Sequence, residues 1–349
     1  DAGADAVYFG VKAFNMRSGA ENFDVMELGK VMVVLRKHGK KGYLTLNTII
    51  YDHETAKLKK VLHSAKKAGV DAVIAWDMGV IKLAGEYGIP VHLSTQASVS
   101  NFLALKFFAD LGIKRIVLAR ECTLDDIKDM AAKVKKHGLD CQIEAFVHGA
   151  LCVSVSGRCF LSQHFFGKSA NRGECYQPCR REYLIKDTAR GDEYILGKDY
   201  VLSAKDLCTI DIIDRLIKAG VTAFKIEGRM RSPEYASIVT FAYRQAIDAV
   251  AAGKYTSALK KTLRKKLEAV FSRGFETGLY LGQPKDIGSS SGSHGYEKIF
   301  AGEVTNYYQR IGVAEVRLCG YGISKGEEIL IFGKSTAAFF LKITELQIE

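Results

Sequence analysis

The stretch KAGVDAVIAWD, residues 67–77, joins three signals: a helical segment that closes at a glycine, a short apolar run, and a polar residue that ends it. Glycine just past a helix end supplies the left-handed cap, and a run rich in Val and Ile suits a strand buried on both faces. The same order recurs in DAGADAVYFG (1–10), KHGKKGYLTLN (37–47), EYGIPVHLSTQ (86–96), DLGIKRIVLARE (110–121), KHGLDCQIEAFVHG (136–149) and KAGVTAFKIEGR (218–229). Seven βα-type units are therefore countable. Buried strands alternating with helices imply a parallel sheet, and the spacing fits an open sheet or a (β/α)₈ barrel. The expected class is α/β, a TIM-like barrel. Its eighth strand is either YVLSAK (200–205) or a strand upstream of Asp1.

In such a barrel the carboxyl ends of the strands converge on one face. That face would gather Asn47, Asp77, Gln96, Arg120, Glu121, His148, Lys225, Glu227 and Arg229. Between Gly138 and Gly220 the spacing breaks, and an insertion of about residues 149–208 holds five of the eight cysteines. Long loops inside a compact domain are usually functional. The barrel with its trailing helices is expected over residues 1–287. GSSSGSHG (288–295) reads as a linker, and the alternating short runs of 296–349 read as a small C-terminal β-barrel.

The formal net charge is +11, and the basic excess lies before residue 295. Clusters stand at residues 36–41, 57–67 and 260–273. Most such runs are solvated helix faces, but the net excess favours a polyanionic partner such as RNA. No apolar run approaches the roughly 20 residues of a membrane span, and the N-terminus lacks signal-peptide order. A cytoplasmic protein without membrane insertion is the expectation.

Cys122, Cys141 and Cys319 sit singly in apolar runs and read as core residues. Cys152, Cys159, Cys175, Cys179 and Cys208 fall together. Disulfides are disfavoured in a reducing compartment, and clustered thiolates need a cation, either Zn²⁺ or an Fe–S cluster. Structural zinc sites place ligands in tight pairs; Cys175 and Cys179 pass, but Cys152 and Cys159 are six residues apart. The wide spacing favours the larger cluster and leaves zinc open.

EAFVHGALCVSVSGRCFLS (144–162) resembles the signature of the U32 peptidase-like family, and SANRGECYQPCRREY, LSAKDLC and FKIEGRMRSPEY resemble its further blocks. The resemblance covers nearly the whole chain and is closest to the branch of the tRNA uridine hydroxylation proteins. Family members usually begin with one more strand, so the first βα unit is expected to be missing. The resemblance implies oxygen-independent hydroxylation by a [4Fe–4S] protein, acting in that branch on the wobble uridine of tRNA with prephenate as hydroxyl source. It implies Cys152, Cys159, Cys175 and Cys208 as ligands, with Cys179 in reserve. For a small dicarboxylate cosubstrate, Arg229 and Arg120 are the expected cations, with His148 as proton shuttle and Gln96 beside them.

Two other functions remain at this level. A protease is suggested by the family name, but HETAK at His53 lacks the second histidine of a zinc motif, and Ser290 in GSSSG has no strand before it. A non-enzymatic RNA-binding scaffold with a structural metal would have no need of the polar residues around one mouth.

Overall fold

The computed structural model describes residues 2–186, 188–191, 193–196, 200–282, 288–289, 300–319, 321–333, 336 and 338–347. Its elements run β1 (Ala6–Gly10), α1 (Leu28–Lys37), β2 (Lys41–Thr45), α2 (Thr55–Ala68), β3 (Ala72–Ala75), α3 (Met78–Glu86), β4 (Val91–Leu93), α4 (Phe102–Asp110), β5 (Arg115–Val117), α5 (Leu124–Lys136) and β6 (Gln142–Gly149). The insertion follows with α6 (Leu161–Phe166), β7 (Tyr183–Lys186), β8 (Glu193–Leu196), β9 (Tyr200–Ala204) and β10 (Asp206–Cys208). Then come α7 (Ile213–Ala219), β11 (Ala223–Ile226), α8 (Pro233–Ala251), α9 (Ser257–Glu268), β12 (Phe275–Glu276) and β13 (Gly288–Ser289). The described chain ends with β14 (Gly302–Tyr308), β15 (Val313–Leu318), β16 (Glu328–Ile331) and β17 (Phe339–Lys342).

The opening stretch behaves as its pattern demands. Leu58, Val61, Leu62 and Ala65 put one buried stripe on α2, and Gly69 ends it at φ 72°. All four residues of β3 are buried. Spacings of three and four suit a helix packed on one face, whereas an unbroken apolar strand is covered on both.

Strands β1 to β6 pair in parallel and in sequence order, and β11 pairs in parallel with β6 on its other edge. These are the seven units read from the sequence. The sheet curls until its edges meet through side chains: the Tyr8 hydroxyl on β1 donates to the Ile226 carbonyl of β11 at 3.0 Å. Among the described residues no backbone pairing joins β1 to β11, so the ring is not closed by main-chain hydrogen bonds. Helices cover the outside, where two apolar clusters hold Leu44, Leu58 and Leu62 on one side and Ile116, Ile127 and Tyr243 on the other.

One expectation is corrected here. Residues 200–204 supply no eighth barrel strand, because β9 pairs antiparallel with β13 in a separate two-stranded sheet. The C-terminal segment forms two hairpins, β14–β15 and β16–β17, and no closed small barrel joins them among the described residues. Gly288 and Ser289 are paired; residues 290–299, including the rest of the supposed linker, lie outside the described residues. Leu330, Ala338 and Phe340 pack on the main core, and the Ser237 hydroxyl of α8 donates to the Ala338 carbonyl at 3.3 Å.

Candidate functional site

The carboxyl ends of β1, β2, β5 and β11 deliver a charged group into the barrel mouth. Glu227, just past β11, lies 3.8 Å from Arg17 Nε and 3.3 Å from the Tyr8 hydroxyl. Arg229 donates to Thr45 Oγ1 at 2.8 Å and to Asn15 Oδ1. Arg120 donates to the Ala150 carbonyl at 2.9 Å and lies over the Phe146 ring, 4.2 Å from its centroid. Burial opposes ionisation of Glu227, but Arg17, Arg229 and Arg120 outweigh it and hold the carboxyl below its usual range. Burial and then Glu227 keep the Tyr8 hydroxyl protonated. Three guanidiniums thus face one carboxylate, leaving an excess of positive charge where water is scarce. Such a site favours an anion.

Below the mouth the barrel interior holds a second group. Lys225 Nζ stands 3.2 Å and Arg115 Nη1 3.7 Å from the two oxygens of Glu144. The His92 ring meets Tyr43 edge-on at 4.5 Å. Burial, with Arg115 and Lys225 nearby, depresses His92 to about 3. Glu144 is therefore a partner for buried cations, which accounts for its place in the signature stretch without a catalytic role.

The cysteine insertion roofs the mouth. It starts at the carboxyl end of β6 and touches the loops after β1, β2 and β4. Ser18 N donates to the Gly173 carbonyl at 3.2 Å, Ile49 N to the Asn171 carbonyl at 3.3 Å, and Arg158 to Ser98 Oγ at 3.0 Å. Arg172 binds Glu54 and the Ile49 carbonyl. Gly173 makes the approach possible: at φ +95°, a Cβ there would lie 2.3 Å from the Asn15 carbonyl oxygen. No side chain fits that space.

In the roof, Cys179 lies within electrostatic reach of Cys152, Cys159 and Cys175. Burial pushes Cys179 up, Arg180 opposes this, and the neighbouring Cys152, Cys175 and Cys159 raise it further. Cys152 and Cys175 also act on Arg17, and Cys152 on Arg120, so the thiols border the guanidinium group. Cys208 is buried beside α8. Its thiol is 1% exposed, 3.8 Å from the Tyr243 hydroxyl of α8, and pushed up to about 11, chiefly by burial. Of the two candidates for a fourth ligand, Cys179 sits in the roof, whereas Cys208 pairs with His148 at the carboxyl end of β6, where β10 runs antiparallel to it and faces the layer between sheet and helices. Cys122 and Cys141 are buried as expected, while Cys319 is exposed.

Among the described residues no three His, Cys, Asp or Glu side chains stand close enough to hold one metal ion. Tetrahedral zinc needs all its thiolates within one short coordination sphere, whereas an Fe–S cube takes each thiolate at a different corner. Thiols set beside cations that offset their charge suit a thiolate-held anionic cluster.

His148 and Gln96 do not serve the mouth as expected. Period-two alternation puts His148 on the inward face with Glu144 and Phe146, but a bulge intervenes. Lys225 pairs with Phe146 and Ile226 with His148, so Val147 is the extra residue and the ring turns outward. His148 is 1% exposed, its Nδ1 is 3.4 Å from the Tyr243 hydroxyl, and Tyr235 and Phe275 flank it. Burial, then Arg231 and Arg264, lower it to about 3. Gln96 is buried; its Nε2 donates to the Asn47 carbonyl at 2.9 Å and its Oε1 accepts from Ser94 and Asn47. It holds the loop after β2 through one amide N–H and its carbonyl oxygen.

The neutral His148 makes a prediction about stability. The unfolded ring takes a proton below about 6.5, and the folded one resists it down to about 3. The unfolded chain therefore binds more protons, so this contribution is complete above pH 6.5 and is lost as pH falls toward 3. Urea unfolding at stepped pH should show up to about 1.4 kcal/mol lost per pH unit in that window from this residue. His148→Gln should flatten that part of the slope.

A family model described as peptidase family U32 matches residues 1–290. The chain belongs to the U32 peptidase family. A collagenase of Porphyromonas gingivalis is 41% identical to this U32 chain, over 100% of it and 86% of the relative. The tRNA hydroxylation protein P1 of Bacillus subtilis is 33% identical, over 97% and 80%. The 23S rRNA 5-hydroxycytidine C2501 synthase of Escherichia coli is 39% identical, over 71% of this chain and 37% of its own. Among solved structures the U32 peptidase Mk0906 shows a distant likeness, with 15% identity, a TM-score of 0.36, and coverage of 43% of this chain and 63% of that one.

Three residues of the U32 mouth escaped the sequence reading: Tyr8, Asn15 and Arg17. Tyr8 lies inside an apolar strand, where an aromatic residue reads as core. Asn15 and Arg17 sit in an irregular loop with no periodicity to place them. The one available signal was their position after the first strand, at the same end as Arg120 and Glu227.

Proposed function

We propose that this protein hydroxylates a base in RNA without molecular oxygen, the wobble uridine of tRNA being the favoured target. The observation that carries the reading is the set of roof cysteines bordering Arg17 and Arg120 in the three-guanidinium group at the barrel mouth. Cys152, Cys159, Cys175 and Cys179 would hold a [4Fe–4S] cluster, which would supply the electron-transfer capacity that oxygen-independent hydroxylation requires. Arg17, Arg120 and Arg229 would bind the carboxylates of a small dicarboxylate hydroxyl donor, prephenate being the candidate. Glu227 orients Arg17 and limits the positive excess, so that an anion binds without a permanent internal partner displacing it. Tyr8, held protonated, keeps a hydroxyl at the same place as a neutral donor.

Support also comes from relatives named for tRNA hydroxylation and rRNA hydroxycytidine synthesis. A relative named collagenase keeps peptidase activity in view. That reading needs an activated nucleophile or water beside a base. The half-buried His92, beside Tyr43, and the buried His148 are instead held neutral, and the partner of His148 is a tyrosine hydroxyl.

The test is to incubate anaerobically purified protein with unmodified tRNA and prephenate, then digest and weigh the nucleosides. Uridine heavier by one oxygen atom is the expected product. Unchanged nucleosides together with cleavage of gelatin would replace this reading with the peptidase.

RNA binding should also depend steeply on salt. Lys261 and Lys265 of α9 are exposed, whereas Lys260 and Arg264 are engaged with Asp214 and Asp211. Each lost phosphate contact lowers the log–log salt slope by roughly 0.7 to 0.9. Lys261→Glu with Lys265→Glu should weaken tRNA binding and flatten the slope by about 1.5, with iron content unchanged. Filter binding between low and moderate salt measures both.

A further inference from the structure

Two of the roof cysteines are followed directly by an exposed aromatic residue: Cys159 by Phe160, which is 77% exposed, and Cys175 by Tyr176, which is 53% exposed. Phe165 on α6 is 52% exposed and Phe166 is 38%. The blocks are fastened together. Tyr176 N donates to Ser162 Oγ of α6 at 3.0 Å, Leu161 N donates to Cys159 Sγ at 3.4 Å, and the Phe166 and Tyr176 rings lie 5.6 Å apart. The rings and the thiols therefore form one unit. A monomeric protein rarely leaves several neighbouring aromatic rings in water without a use for them.

The charge around these rings selects the partner. Residues 152–182 carry five Arg or Lys against two Glu. Arg181 lies over the Phe166 ring at 4.6 Å, and Lys168 stands 3.5 Å from Glu174. Apolar rings interleaved with cations suit a polyanion that also offers flat aromatic faces, which is single-stranded nucleic acid. A duplex hides those faces; a loop splays them out.

We propose that the exposed rings around α6, Phe160 at its start, Phe165 at its end and Tyr176 packed on Phe166, are stacking sites for the unpaired bases of the RNA and set the target base beside the cysteine group. This rests on the RNA-hydroxylation reading and adds the surface that recognises a loop. Because Phe160 and Tyr176 are bonded in sequence to Cys159 and Cys175, a base stacked on either ring lies next to the thiols.

The test uses the full chain, purified anaerobically, with two probes: an unmodified anticodon stem-loop and a fully paired duplex of the same length. The wild type should prefer the stem-loop. Phe160→Ala and Tyr176→Ala should each weaken it about 5- to 100-fold, the range for losing one base stack. The salt slope should stay the same, since no phosphate contact is removed. Phe160→Trp should restore binding and Phe160→Leu should not, because leucine is apolar without a π-face. Phe165→Ala serves if a change beside a thiol lowers iron content, and thermal melting confirms folding.

Equal affinity for stem-loop and duplex, or full binding by Phe160→Leu, overturns the stacking proposal while leaving RNA hydroxylation standing. Failure of the wild type to bind either probe removes the RNA reading, and the stacking proposal with it. Release of a self-associated chain to monomers by Phe160→Ala, with RNA affinity unchanged, makes these rings a contact between copies and also overturns it.

Discussion

Serine in place of any one of Cys152, Cys159, Cys175 or Cys179 should leave the anaerobically purified protein with little iron or acid-labile sulfide, whereas Cys208→Ser should keep both. Burial and, against Arg180, the other three thiols of the roof push Cys179 up. A cube bound at four corners loses its closure when one corner goes, so the effect should approach complete loss. Cys208 is governed by different neighbours, Tyr243 and Arg264 among them. Serine there keeps a hydrogen-bonding atom near the Tyr243 hydroxyl and should cost about 1–3 kcal/mol of stability at most. Iron and sulfide per chain for the five variants decide the matter. An empty Cys208→Ser with a full Cys179→Ser would mean that β10 turns over when the cluster binds; stoichiometric zinc without sulfide in the wild type would end the redox reading.

The barrel was legible because seven strands each follow a glycine as an apolar run with a polar end, six of them after a helix. Those signals are local, and periodicity reads local signals well. The strand ends gave Arg120, Glu227 and Arg229 for the same reason. What stayed illegible depended on pairing. One extra residue, Val147, reverses the face of His148, and nothing in AFVHG distinguishes a bulged strand from a straight one. Whether Cys179 or Cys208 joins the other thiols depends on which way β10 lies against β6, a contact 58 to 60 residues distant in sequence whose register appears only in the folded sheet. The small C-terminal barrel was inferred from alternation alone. Alternation predicts hairpins, which are present, but it says nothing of how hairpins join.

Arg229→Gln should raise the KM for the dicarboxylate about 10- to 100-fold and leave iron content intact. Its guanidinium is anchored at one end by Thr45 and Asn15 and faces Glu227 at the other, so the charge is held in place before any ligand arrives. A charge-assisted hydrogen bond in a site with little water contributes about 1.5–3 kcal/mol, which is one to two powers of ten in binding. Removing the charge also takes away one of the three guanidiniums that keep Glu227 ionised. Its pKa should therefore rise, and binding should become more sensitive to acid. Lysine is a poor replacement, because one ammonium cannot span Thr45 and Asn15 while presenting charge to a carboxylate. Arg229→Lys should thus recover less than half of the lost affinity on a logarithmic scale. The measurement is KM and kcat against dicarboxylate concentration at two pH values for both variants. A KM that stays unchanged in Arg229→Gln would show that the anion is held elsewhere, and Arg17 and Arg120 with their shared Glu227 would have to carry its recognition alone.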